Sequence, residues 1–303
     1  MNLKNIIIVV ITACLAAGVL GGVFLYRRYE AREAAQLVAA KKQKEDITVT
    51  IPEGWRTSQI TEYLEKKTSL QSKFFVTSLK THPRPRIDGA PAMKLSDSAE
   101  EVLVKWEGML FPDTYRLTDP ISADEAVDKF ASNFEKKFFT AEEGAVKTLK
   151  GYKFQAHGLE LSGYEVLILA SIIEKETGRN LSTLGDNSRE RLQEERKTVA
   201  GIFLNRLKIG QALQSDATVN YATGKNVAAA SLEDLEKNSP YNTYKYPGLP
   251  PTPICNPSLM SLIAAFQPIK TDYLYFLHKQ PSGEVVYSKT FDEHVQNKYK
   301  YLK

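Results

Sequence analysis

The alternation of apolar and polar positions divides the chain into several kinds of segment. Ile6 to Tyr26 is an apolar run without a charged residue, long enough to cross a bilayer as one helix. Residues 27–45 are rich in Ala, Lys, Glu and Arg and read as a helical stalk. Asp46 to Ile51 alternates with period two and reads as a strand. Pro52-Glu53-Gly54 turns the chain. Thr57 or Ser58 then caps a helix with Ile60, Tyr63 and Leu64 on one side, and a second helix runs from about Ser72 to Lys80. Residues 81–93, with Pro83, Pro85, Gly89 and Pro91, read as a linker. Beyond it, Ala99 to Trp106 is a short helix, and Trp106 to Leu117 holds a turn and two short extended pieces. Ser122 opens an amphipathic helix whose Val127, Phe130, Phe134 and Phe138 recur at helical spacing and belong to a core.

The next helix breaks the amphipathic rule. Ser162 and Glu165 form the sequence of a capping box. Val166, Leu167, Ile168, Leu169, Ala170, Ile172 and Ile173 follow, apolar on nearly every face, so the helix is buried; Gly178 ends it. Glu174 lies near that end, over Ala170 and Leu167 with Ser171 beside it, whereas Glu176 is rotated away. Apolar surroundings disfavour the ionised form of a carboxyl. A carboxylic acid that keeps its proton near neutral pH can donate it to a leaving group, as glycosidic bond cleavage requires. The competing reading is a solvated helix-end glutamate, or one paired with a nearby Lys or Arg.

Residues 179–188 read as a polar loop. Arg189 to Lys208 is a long helix with Leu192, Val199, Ile202, Phe203 and Leu207 inward. Residues 211–256 are loop-rich, and binding sites tend to lie in such spans. Two strands close the C-terminus, 273–277 and 285–287, with Pro281-Ser282-Gly283-Glu284 as their turn. The fold class is α+β.

Composition narrows the function classes. The 303 residues are 43% hydrophobic and 25% charged, with a net charge of +4. No Arg/Lys stripe with interleaved aromatics favours nucleic acid, and no phosphate-binding glycine loop is present. Two cysteines and four scattered histidines offer neither a disulfide nor metal-ligand spacing; no cofactor is expected. At the N-terminus, Ile11-Thr12-Ala13-Cys14 faintly resembles a lipoprotein cleavage box, but the apolar run continues past it to Tyr26. A single membrane anchor is the better reading, with no small-residue cleavage site behind it. Arg27, Arg28 and Arg32 after the run outnumber Lys4 before it, so the charge rule alone would leave the large domain in the cytoplasm.

Several segments together resemble the endolytic murein transglycosylase (YceG-like) family. They are Ala170 to Thr177, Glu107-Gly108 through Phe111-Pro112-Asp113-Thr114-Tyr115, Val199 to Leu207, and Leu213 to Tyr221. Ser239 to Tyr244 leading into Gly248-Leu249-Pro250-Pro251, then Asn256-Pro257, Ala264-Ala265 and Tyr273 to Phe276, complete the series in the family's order over roughly residues 95–303. The stretch from Arg179 to Arg196 is longer than the family's usual link.

The apolar run and the charged stretch behind it give a transmembrane anchor at 1–28 and a stalk at 29–45; the resemblance implies a LysM-like subdomain with linker at 46–93 and a mixed helix/strand catalytic domain at 94–303. It puts the catalytic acid/base on Glu174 and substrate-binding positions on Gln214, Ser215, Asp216, Thr218, Asn242 and Tyr244. Tyr221, Tyr241 and Tyr246 could stack on sugars or simply pack. The implied substrate is peptidoglycan, with the membrane-anchored chain working outside the cytoplasmic membrane beside peptidoglycan synthases. Large domains can translocate regardless of flanking charge, which answers the three arginines. Two alternatives stay open. One is a muramidase-like hydrolase using Asp216 or Glu176 as a second carboxylate; the other is a non-catalytic peptidoglycan-binding scaffold.

Overall fold

The computed structural model describes residue 27 and residues 45–94, 96–140, 154–178, 188–225, 227 and 229–302. The apolar run 6–26 lies outside the described residues, as do nearly all of the stalk and positions 179–187 of the polar loop. No helix among the described residues is long and apolar enough to cross a membrane.

The described elements form a mixed α+β structure, mostly helical, with three two-stranded sheets. The chain divides into two units. The smaller comprises residues 1–46 and 118–120, and within it the Thr118 hydroxyl donates to Asp46 Oδ1 at 3.0 Å. The larger, residues 47–117 and 121–303, holds the helices and every side chain of the candidate site.

Strand β1 (Glu45–Thr50) pairs with β2 (Thr114–Asp119). The Ile51 N–H donates to Asp113 O at 2.9 Å, and the Thr50 and Thr114 hydroxyls lie 3.1 Å apart. Helices α1 (Thr57–Lys67), α2 (Ser72–Thr81), α3 (Ala99–Lys105) and α4 (Ala123–Thr140) pack together. Their shared core includes Ile60, Leu64, Phe75 and Leu79, with Phe130, Phe134 and Phe138 from α4. Trp106, fully buried, donates its indole N–H to Leu79 O at 2.6 Å. Neither Thr57 nor Ser58 caps α1. Thr57 is its first helical residue, and its N–H and hydroxyl reach instead to Glu107 Oε1, at 2.9 and 3.1 Å. The orphan donor of the helix start is satisfied by a carboxylate 50 residues away.

Helix α5 (Gly163–Thr177) has the expected capping box: Ser162 Oγ accepts from the Glu165 N–H at 3.2 Å, and Glu165 Oε2 accepts from the Ser162 N–H at 2.7 Å. All its residues from Val166 to Glu174 are buried. Burial on every face is possible because α6 (Ser188–Lys208) and α9 (Leu259–Phe266) both pack on it.

Several elements differ from the sequence pattern. A hairpin, β3 (Phe154–Ala156) against β4 (Leu159–Leu161), precedes α5; three-residue strands are too short to show a period. The loop-rich span contains α7 (Asp216–Thr223) and the single turn α8 (Leu232–Leu235). The C-terminal strands are β5 (Tyr275–His278) and β6 (Val285–Ser288), antiparallel with Tyr275 opposite Ser288. They do not close the chain: α10 (Phe291–Tyr301) follows, started by a Thr290–Glu293 capping box, and packs on both.

Candidate active site

Glu174 is 4% exposed at the C-terminal end of α5. Its surroundings are less apolar than the helix pattern suggested. Three donors converge on Oε2: the Ser258 hydroxyl at 2.5 Å, the Ser261 hydroxyl at 2.7 Å and the Ser258 N–H at 3.1 Å. Ser258 is the N-cap of α9, its oxygen accepting from the Ser261 N–H at 3.3 Å. The positive end of α9 therefore points at the carboxylate. Oε1 receives no hydrogen bond from the described residues.

The segment before Ser258 is fixed by hydrogen bonds. Ser171 Oγ accepts from the Ile254 N–H at 3.0 Å. Asn256, fully buried, accepts at Oδ1 from the Leu110 N–H at 2.9 Å and donates its amide to Trp55 O at 3.0 Å and to Glu107 Oε1 at 3.2 Å. Its own N–H donates to Trp55 O at 2.8 Å, and its carbonyl accepts from the Gly54 N–H at 2.9 Å. Gly54 takes φ +73°, the left-handed region open to glycine. A Cβ on it would lie 3.6 Å from Glu174 Cγ, so the 53–55 turn rests against the catalytic candidate.

A cleft of about 620 Å³ opens beside this turn, lined by Glu53, Gly54, Trp55, Arg56, Lys175, Glu176, Asp216, Asn220 and Lys225 among others. Glu174 is not in its wall; it lies behind the contact with Gly54, next to Lys175. Glu176 is in the wall, facing elsewhere than Glu174, as its rotation along the helix predicts. Lys175 and Glu176, at the end of α5, stand in the cleft wall, and Glu174 lies one residue behind them. Glu176 Oε1 accepts from the Ser215 hydroxyl at 2.5 Å. Loss of solvent raises its pKa, a shift the Ser215 hydrogen bond opposes and the Asp216 charge reinforces.

The other candidate positions divide into two groups. Ser215 and Asp216 stand at the start of α7, with Asp216 in the cleft wall and its Oδ1 accepting from the Tyr244 hydroxyl at 2.8 Å. Exposed Gln214 precedes them at φ +50° and donates its N–H to Thr243 O at 3.0 Å. Thr218 and Asn242 are fully buried and hold the loop. The Thr218 hydroxyl bonds Ser215 O at 2.7 Å and the Asn242 amide bonds Leu235 O at 2.8 Å. Among the tyrosines, Tyr221 packs on Tyr241 at 4.8 Å, under the Arg56 guanidinium, and donates to Glu107 Oε2 at 3.3 Å. The Tyr241 hydroxyl lies 2.7 Å from Thr252 Oγ1, and Tyr246 is exposed and bonded to Asn238.

Sequence reasoning missed Glu53, Glu107, Ser258 and Ser261 as parts of this centre. Glu107 is buried under four donors, and desolvation pushes its pKa up to about 7 against the pull of Thr57, Arg56 and Tyr221. Glu53 is raised by loss of solvent and then by the Glu174 charge, with Arg196 opposing. The motif Asn256-Pro257 ahead of a Ser-x-x-Ser helix start was the available signal for the two serines.

The model of the YceG-like family matches residues 20–300. A Bacillus subtilis protein named endolytic murein transglycosylase is 40% identical over 196 residues, covering 65% of this chain and 48% of the relative. A Streptococcus pneumoniae serotype 2 protein of the same name is 29% identical over 264 residues, covering 82% and 44%. The chain thus spans about half the length of the curated relatives it matches. The crystal structure of a yceG-like protein from Listeria monocytogenes superposes with a TM-score of 0.60 at 28% identity, covering 82% of this chain and 75% of that one.

Proposed function

The chain belongs to the YceG-like family, and on that premise we propose that it is an endolytic peptidoglycan lytic transglycosylase with Glu174 as its single acid/base. It cleaves between N-acetylmuramic acid and N-acetylglucosamine and leaves 1,6-anhydro-muramoyl ends. The observation that carries this reading is the asymmetry of the Glu174 carboxyl: among the described residues, every hydrogen-bond donor to it is on Oε2. An oxygen already accepting three hydrogen bonds is the poorer place for a proton, so the transferable proton belongs on Oε1.

Oε1–H protonates the glycosidic oxygen as the C1–O bond breaks. The resulting carboxylate then takes the proton of the muramoyl C6 hydroxyl as that oxygen attacks C1 and closes the anhydro ring. The three donors on Oε2, and the N-terminus of α9, stabilise the carboxylate that exists between the two steps. The cleft-wall carboxylates Glu176 and Asp216 bind the glycan strand, held in place by the Ser215 and Tyr244 hydroxyls that donate to them, and Gln214 contributes from the adjoining turn. Thr218 and Asn242 act indirectly by shaping that wall.

A second reading has its own observation: Glu176 stands in the cleft wall with a raised pKa, as a partner carboxylate of a muramidase would. Digestion of peptidoglycan in ¹⁸O-enriched water separates the two. A transglycosylase places no ¹⁸O in its cleavage products, because the attacking oxygen is the sugar's own; a hydrolase places one at C1.

Residues 1–28 serve as a membrane anchor and 29–45 as a stalk holding the enzyme outside the cytoplasmic membrane. Residues 46–93 are a LysM-like unit and 94–303 the catalytic domain. The enzyme acts on nascent strands beside the synthases and terminates them.

A further inference from the structure

Glu107 is buried, and no step of the chemistry uses it. It follows the end of α3, in a turn laid against the segment that leads to Ser258. A Cβ on Gly108 would fall 2.9 Å from Pro253 Cβ, and the Leu110 N–H donates to Asn256 Oδ1 at 2.9 Å. An N–H can only donate and a carbonyl can only accept, so Leu110 N–H and Trp55 O together fix which way the Asn256 amide points. Its Nδ2 then faces Glu107 Oε1, 3.2 Å away. The same Oε1 accepts from the Thr57 N–H and hydroxyl.

An oxygen that accepts from three donors is the poorer place for a proton. Burial pushes the Glu107 pKa up to about 7, and the proton, when bound, belongs on Oε2, toward the Tyr221 hydroxyl. Oε1 is an acceptor in either state. The link to Asn256 therefore survives titration. Beyond Asn256 lies Pro257, whose ring fixes its φ. Ser258 follows, donating its N–H and hydroxyl to Glu174 Oε2. A displacement of Asn256 thus passes over two residues to the donors of the acid.

We propose that Glu107 is a positioning residue of the Glu174 centre: its Oε1 holds the Asn256 amide, and Asn256 in turn places Ser258 against Glu174. This rests on the reading of Glu174 as the acid/base. Glu107 touches no substrate and transfers no proton. Its task needs an acceptor at Oε1, not a charge. A glutamine, whose amide oxygen accepts at that place and whose NH₂ can donate to the Tyr221 oxygen, keeps the link. A methionine fills similar space but leaves the Asn256 amide and the Thr57 N–H without an acceptor, so the segment shifts to recover partners.

The test compares wild type, Glu107→Met and Glu107→Gln, as full chains, on isolated peptidoglycan. Glu107→Met should lower kcat roughly tenfold or more, since small misplacements of catalytic groups are costly, and change KM by much less. Glu107→Gln should recover most of that rate. Wild-type kcat in Glu107→Met overturns the proposal, and so does a Glu107→Gln as slow as Glu107→Met. Hydrogen–deuterium exchange read by mass spectrometry gives a measure that needs no activity. Glu107→Met should lose protection in peptides covering 108–112 and 254–261 while those of α4 stay protected, and Glu107→Gln should keep it throughout. Unchanged protection at 254–261 in Glu107→Met, or an equal loss in α4, overturns the proposal. Should Glu107→Met fail to fold, Asn256→Ala cuts the same link from its other end. It must show the same kcat loss and the same loss of protection at 108–112; wild-type values there overturn the relay. If wild type forms no anhydro ends, the transglycosylase reading fails alone, and the exchange pattern still decides whether Glu107 holds the Ser258 segment.

Discussion

At the scale of the residue, the site is a set of oxygens told apart by their donors. Ser261→Ala removes one hydroxyl from Glu174 Oε2 without touching the side chain that caps α9. A hydrogen bond to a charged group contributes about 1.5–3 kcal/mol, so kcat should fall roughly 10- to 100-fold while the circular dichroism spectrum stays the same; an unchanged rate would remove the serines from the account. Glu107 makes a different prediction. Its folded pKa of about 7 lies above the ordinary value of 4.5. The folded state then binds more protons than the unfolded one between those values, and stability declines as pH rises through 7. Full loss is on the order of 3 kcal/mol. Chemical denaturation of wild type and Glu107→Gln from pH 5 to 8 should show wild type losing ground to the variant as pH rises; parallel curves would contradict it. Glu174 was legible in the sequence because a helix is a local pattern. Its serines, 84 and 87 residues on, and Glu53 and Glu107 were not, because only tertiary packing brings them to it.

At the scale of the element, length decided what the sequence revealed. The long helices α4, α5 and α6 repeat their apolar spacing over several turns, and their positions matched. The three-residue strands of the β3–β4 hairpin and the four-residue α8 give no period, and α1 starts one residue beyond its N-cap, Arg56, because Glu107 supplies the missing acceptor. Close approach also left no readable pattern. Gly201 lies in the middle of α6, where Gly→Ala ordinarily stabilises a helix by about 1 kcal/mol. Here a Cβ would fall 2.2 Å from Ile269 O. Gly201→Ala should therefore destabilise the fold by roughly 1–3 kcal/mol or more, read as a lowered denaturation midpoint; a raised midpoint would mean that the 269 segment is free to move aside.

At the scale of the whole molecule, the proposal is an anchored enzyme whose cleft is completed by a turn from the N-terminal strand–helix unit. The apolar run 6–26 should make the full chain extractable from membranes by detergent but not by alkaline carbonate, and protease added to spheroplasts should degrade the part beyond it. Release by carbonate, or protection from the protease, would contradict the anchor or its orientation. The central claim, however, is chemical. Mass spectrometry of isolated peptidoglycan digested with wild type and with Glu174→Gln tests it most directly. The account predicts 1,6-anhydro-muramoyl ends from wild type and none from the variant. Reducing muramic acid ends from wild type, or anhydro ends from Glu174→Gln at the wild-type rate, would contradict it.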